Sequence, residues 1–184
     1  MSKTGLFIGR FQPFHLGHLE SIKFALDKVD TLIIVIGSAQ KSHEKRNPFT
    51  AGERIQMIRN TLYEISTIDL QKIIFIPIPD NNIHLLWTYN IDILVPQYDI
   101  VFTNDPFTIF LFQERHKNVI KPKLYNRNIY SGTMIRKFMI DDNDKWKNLV
   151  HKEVFSLIDK IKGVERLQLI SKLHENEYTD HKKH

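Results

Sequence analysis

His15 and His18 stand three residues apart, with Gly17 between them, in the stretch GRFQPFHLGH that runs from Gly9 to His18. The apolar run Leu6-Phe7-Ile8 precedes this stretch, and Glu20 to Leu26 reads as an amphipathic helix after it. The pair therefore falls where a first strand turns into a first helix, and its spacing puts both imidazoles on one helix face. Free N–H groups and the positive dipole end of a helix attract phosphate there. Gly17 leaves room for a ligand to come close to the backbone. A helix cap plus a packed core histidine is the plainer reading of the same residues. A metal site is disfavoured, because no third ligand lies nearby in sequence. Two other phosphate-binding loops are excluded: neither G-x-x-x-x-G-K-[ST] nor G-x-G-x-x-G follows the first strand.

The elements that would position this pair alternate between strand and helix. Strands are expected at 5–8, at the β-branched run 31–36, at 72–78, at 100–102 and, briefly, at Val119-Ile120. Helices are expected at 16–28, from 51 onward, at 84–95 and from 106 to about Arg115. Thr50 and Glu53 have the spacing of a capping box, and Ile55, Ile58, Leu62 and Ile65 mark the apolar face of the helix it opens. Asn104-Asp105-Pro106 reads as a cap with proline in the first turn. After NRNIYSGT (126–133) come two or three helical segments through Ile161, and the tail from Lys172 reads as frayed. Repeated β-α-β units predict an α/β, doubly wound parallel sheet of Rossmann-like type, with a small helical portion from about residue 131. Residues 1–171 read as a single domain and 172–184 as a flexible tail. Ligands of such sheets sit beyond the carboxyl ends of the strands. That rule gathers residues 9–18, the polar loop 37–49, and the 79–87 and 103–106 loops around one crevice.

Bulk composition narrows the classes. The 184 residues are 42% hydrophobic and 26% charged, which is ordinary for a globular domain, and cysteine is absent, so thiolate and disulfide chemistry are excluded. No charged-then-apolar leader precedes the first strand and no apolar run approaches membrane-spanning length, so a cytoplasmic protein without a membrane partner is expected. The net charge of +5 suits polyanionic ligands such as nucleotide phosphates. No basic run of five or arginine–glycine tract argues for nucleic acid.

GRFQPFHLGH resembles the H-x-G-H signature of the nucleotidyltransferase superfamily, and YSGTMIR (130–136) resembles its second signature. Between them, GSAQKSH…NPFTAGER (37–54) and IPIPD…W (76–87) are similar to the archaeal-type nicotinamide mononucleotide adenylyltransferases, from about Gly5 to Arg166. The resemblance implies an enzyme that joins ATP and nicotinamide mononucleotide into NAD and releases pyrophosphate. It implies that His15 and His18 donate to the triphosphate, His18 at the α-phosphate, and that Arg136 with Ser131, Gly132 and Thr133 holds the leaving pyrophosphate. Gly9, Arg10, Phe11, Gly17 and Arg46 would complete the ATP site, with Arg10 also reaching the incoming phosphate. Ser38, Asp80, His84 and Trp87 would bind the mononucleotide, Trp87 stacking on the nicotinamide ring. Mg²⁺ would arrive with ATP and water, with no metal ligand from the protein. Homo-oligomers are expected by analogy. A further hydrolase domain, which some relatives carry, is not expected here.

Two positions depart from the family pattern. Thr103-Asn104-Asp105 stands where Thr-Gly-Asn is usual, and His84 where asparagine is common. A sister enzyme acting on phosphopantetheine or flavin mononucleotide would share H-x-G-H but lack the two middle blocks. A non-enzymatic nucleotide- or nucleic-acid-binding module would not need both signatures.

Overall fold

In the computed structural model, which describes residues 2–122 and 130–180, the strands are β1 (Thr4–Gly9), β2 (Thr31–Ile36), β3 (Ile73–Pro77), β4 (Ile100–Phe102) and β5 (Val119–Ile120). They pair in parallel as one sheet in the order β3-β2-β1-β4-β5. This is the doubly wound sheet expected from the alternation. Chain order reverses between β1 and β4, so the crevice opens where β1 runs into the Gly9–His18 stretch. The seven α-helices of the described residues are α1 (Leu16–Leu26), α2 (Ala51–Tyr63), α3 (His84–Leu94), α4 (Pro106–Glu114), α5 (Gly132–Ile140), α6 (Lys152–Lys160) and α7 (Gly163–Asp180). Among the described residues no helix is long and apolar enough to cross a membrane.

Alternation along the strands splits the core in two. Phe7, Leu32, Ile34 and Ile36 face one side, where they pack with Ile22 of α1, Ile58 of α2, Ile135 of α5 and Ile158 of α6. Leu6, Ile33 and Val35 face the other side, where Ile91 of α3 and Phe112 of α4 cover them. Every residue of β2 from Leu32 to Ile36 is fully buried, as a central parallel strand requires. The first face carries five helices and the second only α3 and α4.

Local signals hold at the helix starts. The Thr50 hydroxyl accepts from the Glu53 N–H at 3.2 Å, and Glu53 accepts from the Thr50 N–H at 2.9 Å, closing the capping box. Asp105 caps α4 through the Thr108 N–H at 2.8 Å. The buried stripe of α2 is Arg54, Met57, Ile58, Thr61 and Leu62, so it is rotated from the one read in the sequence, and Ile55 lies at its edge.

The C-terminal part differs more. α7 continues to Asp180, eight residues past the point where fraying was expected, and residues 181–184 of the tail lie outside the described residues, as do 126–129 of NRNIYSGT. Arg166 of α7 explains why this helix matters to the crevice. It forms a fork with the Glu53 carboxylate, 2.8 Å at each oxygen, and donates to the Pro48 carbonyl at 3.3 Å. Gly163 lets Phe49 come close: a Cβ there would stand 2.8 Å from the Phe49 ring. The helix start thus braces the end of the 37–49 loop.

Candidate active site

His15 and His18 serve as cap and crevice wall together. His15 is the N-cap of α1, and its Nδ1 accepts from the His18 N–H at 3.3 Å, while His18 Nδ1 accepts from the His15 N–H at 3.3 Å. The imidazoles thus form a capping box usually built from a hydroxyl and a carboxylate. An Nδ1 that accepts must be unprotonated, so each neutral ring carries its proton on Nε2. The rings stack 3.5 Å apart, 18° from parallel, with Phe11 edge-on to His18 at 4.9 Å and Phe14 stacked beyond it at 5.8 Å. Burial pushes the His15 pKa down to about 4, and His18 falls well below the usual imidazole value through burial and then the charge of His15. Both are neutral N–H donors at physiological pH.

Two adjoining cavities lie at the carboxyl ends of the strands. The smaller, about 230 Å³, is lined by His15, Gly17, His18, Ser21, Asn104 and Tyr130. The larger, about 660 Å³, takes in Arg10, Ser38, Lys41, Arg46, Asp80, His84 and Trp87. Ile8, Gly9, Thr103 and Asp105 line both, so the end of β1 and the start of α4 form the shared boundary. The volume of the larger one is in the range of small-ligand sites.

Arg10 and Arg46 line the larger cavity, and their charges reach Arg136. Arg136 is buried and its pKa is pushed down to about 10, first by burial and then by the charges of Arg10 and Arg46. Mutual repulsion of three guanidiniums is a field that a polyanion would relieve. Asp80 is held in place: Ser38 Oγ donates to its Oδ1 at 2.9 Å and Lys41 Nζ lies 3.3 Å from its Oδ2. Ser38 adopts φ 49°, a left-handed conformation that aims its hydroxyl at Asp80.

The structure brings most of the sequence-predicted residues together, though several have other immediate partners. Gly9, Arg10, Ser38, Arg46, Asp80, His84 and Trp87 line the larger cavity, and Gly9, His15, Gly17 and His18 the smaller. Phe11, Ser131, Gly132, Thr133 and Arg136 line neither; Phe11 is buried at φ 52° and supports the His18 ring. Room beside Gly17 is taken by Tyr130, whose Cβ would stand 2.9 Å from a Cβ at this position. Arg136 Nη1 donates to the Gln12 carbonyl at 2.7 Å and Nη2 to Thr133 Oγ1 at 3.3 Å, so α5 docks on the Gly9–His18 stretch. Gly132 approaches that same carbonyl, and Ser131 is the α5 N-cap without a side-chain cap bond. Trp87 is half-buried, with its Nε1 unpartnered, and His84 rests edge-on to Phe107 at 5.1 Å.

Two positioning residues escaped the sequence reading. Arg54 is fully buried and donates to the carbonyls of Thr50 (3.1 Å), Arg10 (2.9 Å), Gly37 (2.8 Å) and Ser38 (3.1 Å). Burial lowers its pKa to about 10, Arg10 adding to the effect against Asp80 and Glu53. Gln12 pairs its amide with both backbone groups of Phe49, at 2.8 and 3.0 Å. A signal for Arg54 existed: it lies three and four residues before Met57 and Ile58, in phase with buried positions. Nothing in the sequence marks Gln12 as more than a loop residue.

This combination of a parallel sheet, a histidine pair at the first helix and arginines around the crevice has known counterparts. The chain belongs to the cytidylyltransferase-like family, whose model matches residues 6–138. Within that family it is 46% identical over 166 residues to the nicotinamide-nucleotide adenylyltransferase of Saccharolobus solfataricus, covering 90% of this chain and 95% of the relative. The Archaeoglobus fulgidus protein of the same name is 47% identical over 168 residues, covering 90% and 95%. Among solved structures, a bifunctional NMN adenylyltransferase/ADP ribose pyrophosphatase from Francisella tularensis, complexed with AMP and a Mn ion, superposes with a TM-score of 0.76 at 25% identity. The match covers all of this chain and 55% of that longer one. A Plasmodium falciparum nicotinic acid mononucleotide adenylyltransferase shares the fold at TM-score 0.61 and 16% identity, covering 90% of this chain and 98% of that one.

Two expectations follow from the geometry. Lysine cannot reproduce the fork of Arg54, so Arg54→Lys should lower unfolding free energy by about 2–4 kcal/mol through carbonyls left without donors. Urea denaturation measures this, and unchanged stability would mean that the fork holds nothing. The second concerns acid. The folded His15 pKa of about 4 lies below the unfolded value of 6.5, so the unfolded chain binds the proton first. Stability should be full above about pH 6.5 and fall as pH drops toward 4, by up to about 3 kcal/mol from this group. His15→Asn keeps a cap and removes a titration, so its stability curve should be flatter over that window.

Proposed function

We infer that this protein transfers the adenylyl group of ATP to nicotinamide mononucleotide, forming NAD and pyrophosphate. The observation that carries the reading is the junction of the two cavities. Neutral His15 and His18 wall the smaller cavity, and Arg10, Arg46 and Trp87 wall the larger one across that junction. Curated relatives named nicotinamide-nucleotide adenylyltransferase at 41–47% identity support the same reaction.

The chemistry fits what the site offers. An oxygen of the mononucleotide 5′-phosphate attacks the α-phosphorus of ATP, the bond to the β-phosphate oxygen breaks, and pyrophosphate leaves with that electron pair. A phosphate nucleophile is mostly dianionic at neutral pH, its second pKa being about 6, so no general base is needed. Catalysis then rests on alignment and charge stabilisation. His18 Nε2–H, pinned by its capping bond, donates to the α-phosphate as charge builds on its oxygens, and His15 donates alongside. Arg10 draws the attacking phosphate in against charge repulsion. Arg136, with Ser131, Gly132 and Thr133, steadies the departing pyrophosphate, and Arg46 closes on the phosphates from the 37–49 loop.

The mononucleotide occupies the larger cavity. Its cationic pyridinium lies over the indole of Trp87, a contact of roughly 1–2 kcal/mol once desolvated. Asp80, held by Ser38, and His84 at the rim face its polar edge. Among the described residues no group of three histidine or acidic side chains could cage a metal. Mg²⁺ suits a site of this kind by riding on the ATP phosphates and water, and supplies charge neutralisation when bound.

Pyrophosphate release from ATP, measured with nicotinamide mononucleotide, phosphopantetheine and flavin mononucleotide as acceptors, tests the assignment. Turnover is expected with the first alone. His18→Ala should reduce that turnover by about 10²–10³, the loss expected for one transition-state donor, with the fold intact by circular dichroism. Intrinsic fluorescence tests the second cavity, since the chain has two tryptophans, Trp87 and Trp146, and Trp146 is buried beside Phe155 in the other core. Adding the mononucleotide should quench Trp146→Phe and leave Trp87→Phe unchanged. Equal quenching in both returns Trp87 to a packing role.

A further inference from the structure

Arg10, Arg46 and Arg136 come from three separate parts of the chain, and like charges push apart. The charges of Arg10 and Arg46 reach Arg136, where they add to burial in lowering its pKa. The backbones that carry these residues must be held against that repulsion. Gln12 meets all three segments. It follows Arg10 by two residues, and its carbonyl accepts from Arg136 Nη1 at 2.7 Å. Its side-chain amide donates to the Phe49 carbonyl at 2.8 Å and accepts from the Phe49 N–H at 3.0 Å. Phe49 in turn follows Arg46 by three residues. At 3% exposure the Gln12 amide has little water to bond instead, so losing these partners is costly.

The chain around Arg46 changes character within one residue. Arg46 is exposed, whereas Asn47, Pro48 and Phe49 are buried. Glu44 and Asn47 exchange both backbone hydrogen bonds, at 3.2 and 3.0 Å, and the Asn47 amide donates to the Glu44 carboxylate at 3.0 Å. Arg46 therefore rides on a turn closed on itself, and the turn inherits its direction from Phe49. The Phe49 ring, packed where a Cβ on Gly163 would stand 2.8 Å away, fixes where that anchor sits. Two bonds from one planar amide fix how its backbone points. We propose that Gln12 is a positioning residue for the phosphate site: through Phe49 it holds the Arg46 turn at the wall of the larger cavity, against the repulsion of Arg10 and Arg136. Without the tie the turn relaxes outward, and an anion has to draw it back before Arg46 bears on it. The loss then appears as affinity, because an apparent Kd is the intrinsic one divided by the binding-competent fraction. The choice of a polyphosphate as ligand rests on the reaction inferred above; the tie itself does not.

Calorimetric titration of the full chain with inorganic pyrophosphate and Mg²⁺ reads that affinity without any turnover. Gln12→Met fills a similar volume and makes neither bond, and Gln12→Asn keeps the amide one carbon short of Phe49. Each should raise the Kd about tenfold, as a competent fraction of about a tenth implies. In an Arg46→Ala background, adding Gln12→Met should change the Kd by less than about twofold, because Gln12 acts through Arg46. In turnover, KM for ATP should rise by a similar factor while kcat stays within about threefold. A merely loosened fold would lower the active fraction, and so kcat, and leave KM where it was. Folded variants with wild-type affinity overturn the proposal, and so does a shift that persists in full without Arg46. Wild type that binds no pyrophosphate overturns it too, and two variants that are both unfolded by circular dichroism assign Gln12 to the fold instead. Wild type that binds pyrophosphate but releases none from ATP sinks the inferred reaction and leaves the affinity result standing.

Discussion

The guanidinium of Arg54 is the joint on which the crevice depends. It sits at the start of α2, with no exposure to solvent, and ties the loop after β1 to the loop after β2 through the carbonyls of Arg10, Gly37 and Ser38. Strand-end loops in a doubly wound sheet have no ladder to fix them, and their carbonyls need donors if water is to stay out. One planar, five-donor side chain meets that need from a single position. A charge so deeply placed is costly to desolvate, and the cost is offset only because its donors are satisfied. The helix that carries Arg54 must then be fixed as well. The capping box of α2 does so, with Glu53 gripped in turn by Arg166 from the far end of the chain.

Charge and hydrogen bonding are divided between residue types. Arg10, Arg46 and Arg136 supply a positive field, while the histidines, neutral through burial, supply direction. A charged imidazole pair stacked at 3.5 Å would repel both itself and these arginines. Keeping the rings neutral allows the two sets to sit side by side. In the inferred reaction no carboxylate dyad is needed either, because the attacking phosphate already bears its charge.

Much of this was legible in the residues. Alternating β-branched and amphipathic stretches predicted all five strands, and Thr50-x-x-Glu53 and Asp105-Pro106 marked helix starts because capping is a local, few-residue interaction. The loops of the crevice could be grouped by topology alone. What stayed hidden was long-range. Gln12 meets Phe49 across 37 residues and Arg166 meets Glu53 across 113, and no spacing rule links such pairs. Arg54 lies in phase with Met57 and Ile58, but the carbonyls it bonds, on the loops after β1 and β2, cannot be read from that phase. α7 was taken for a tail from Lys172, because its late residues are polar and the packing of its first turns on α5 and α6 is invisible in one dimension.

The reciprocal capping of His15 and His18 also decides which ions the motif can be poisoned by. Two histidines at this spacing are ordinarily a soft trap for transition metals. Here each Nδ1 lone pair is committed to a backbone N–H and each Nε2 carries a proton, in rings stacked 3.5 Å apart. A zinc ion binding at an Nε2 would need that ring's proton moved to Nδ1, and the capping bond at the helix start would be lost with it. A pair of histidines that caps its own helix is by the same geometry refractory to the metals that histidine pairs most readily collect.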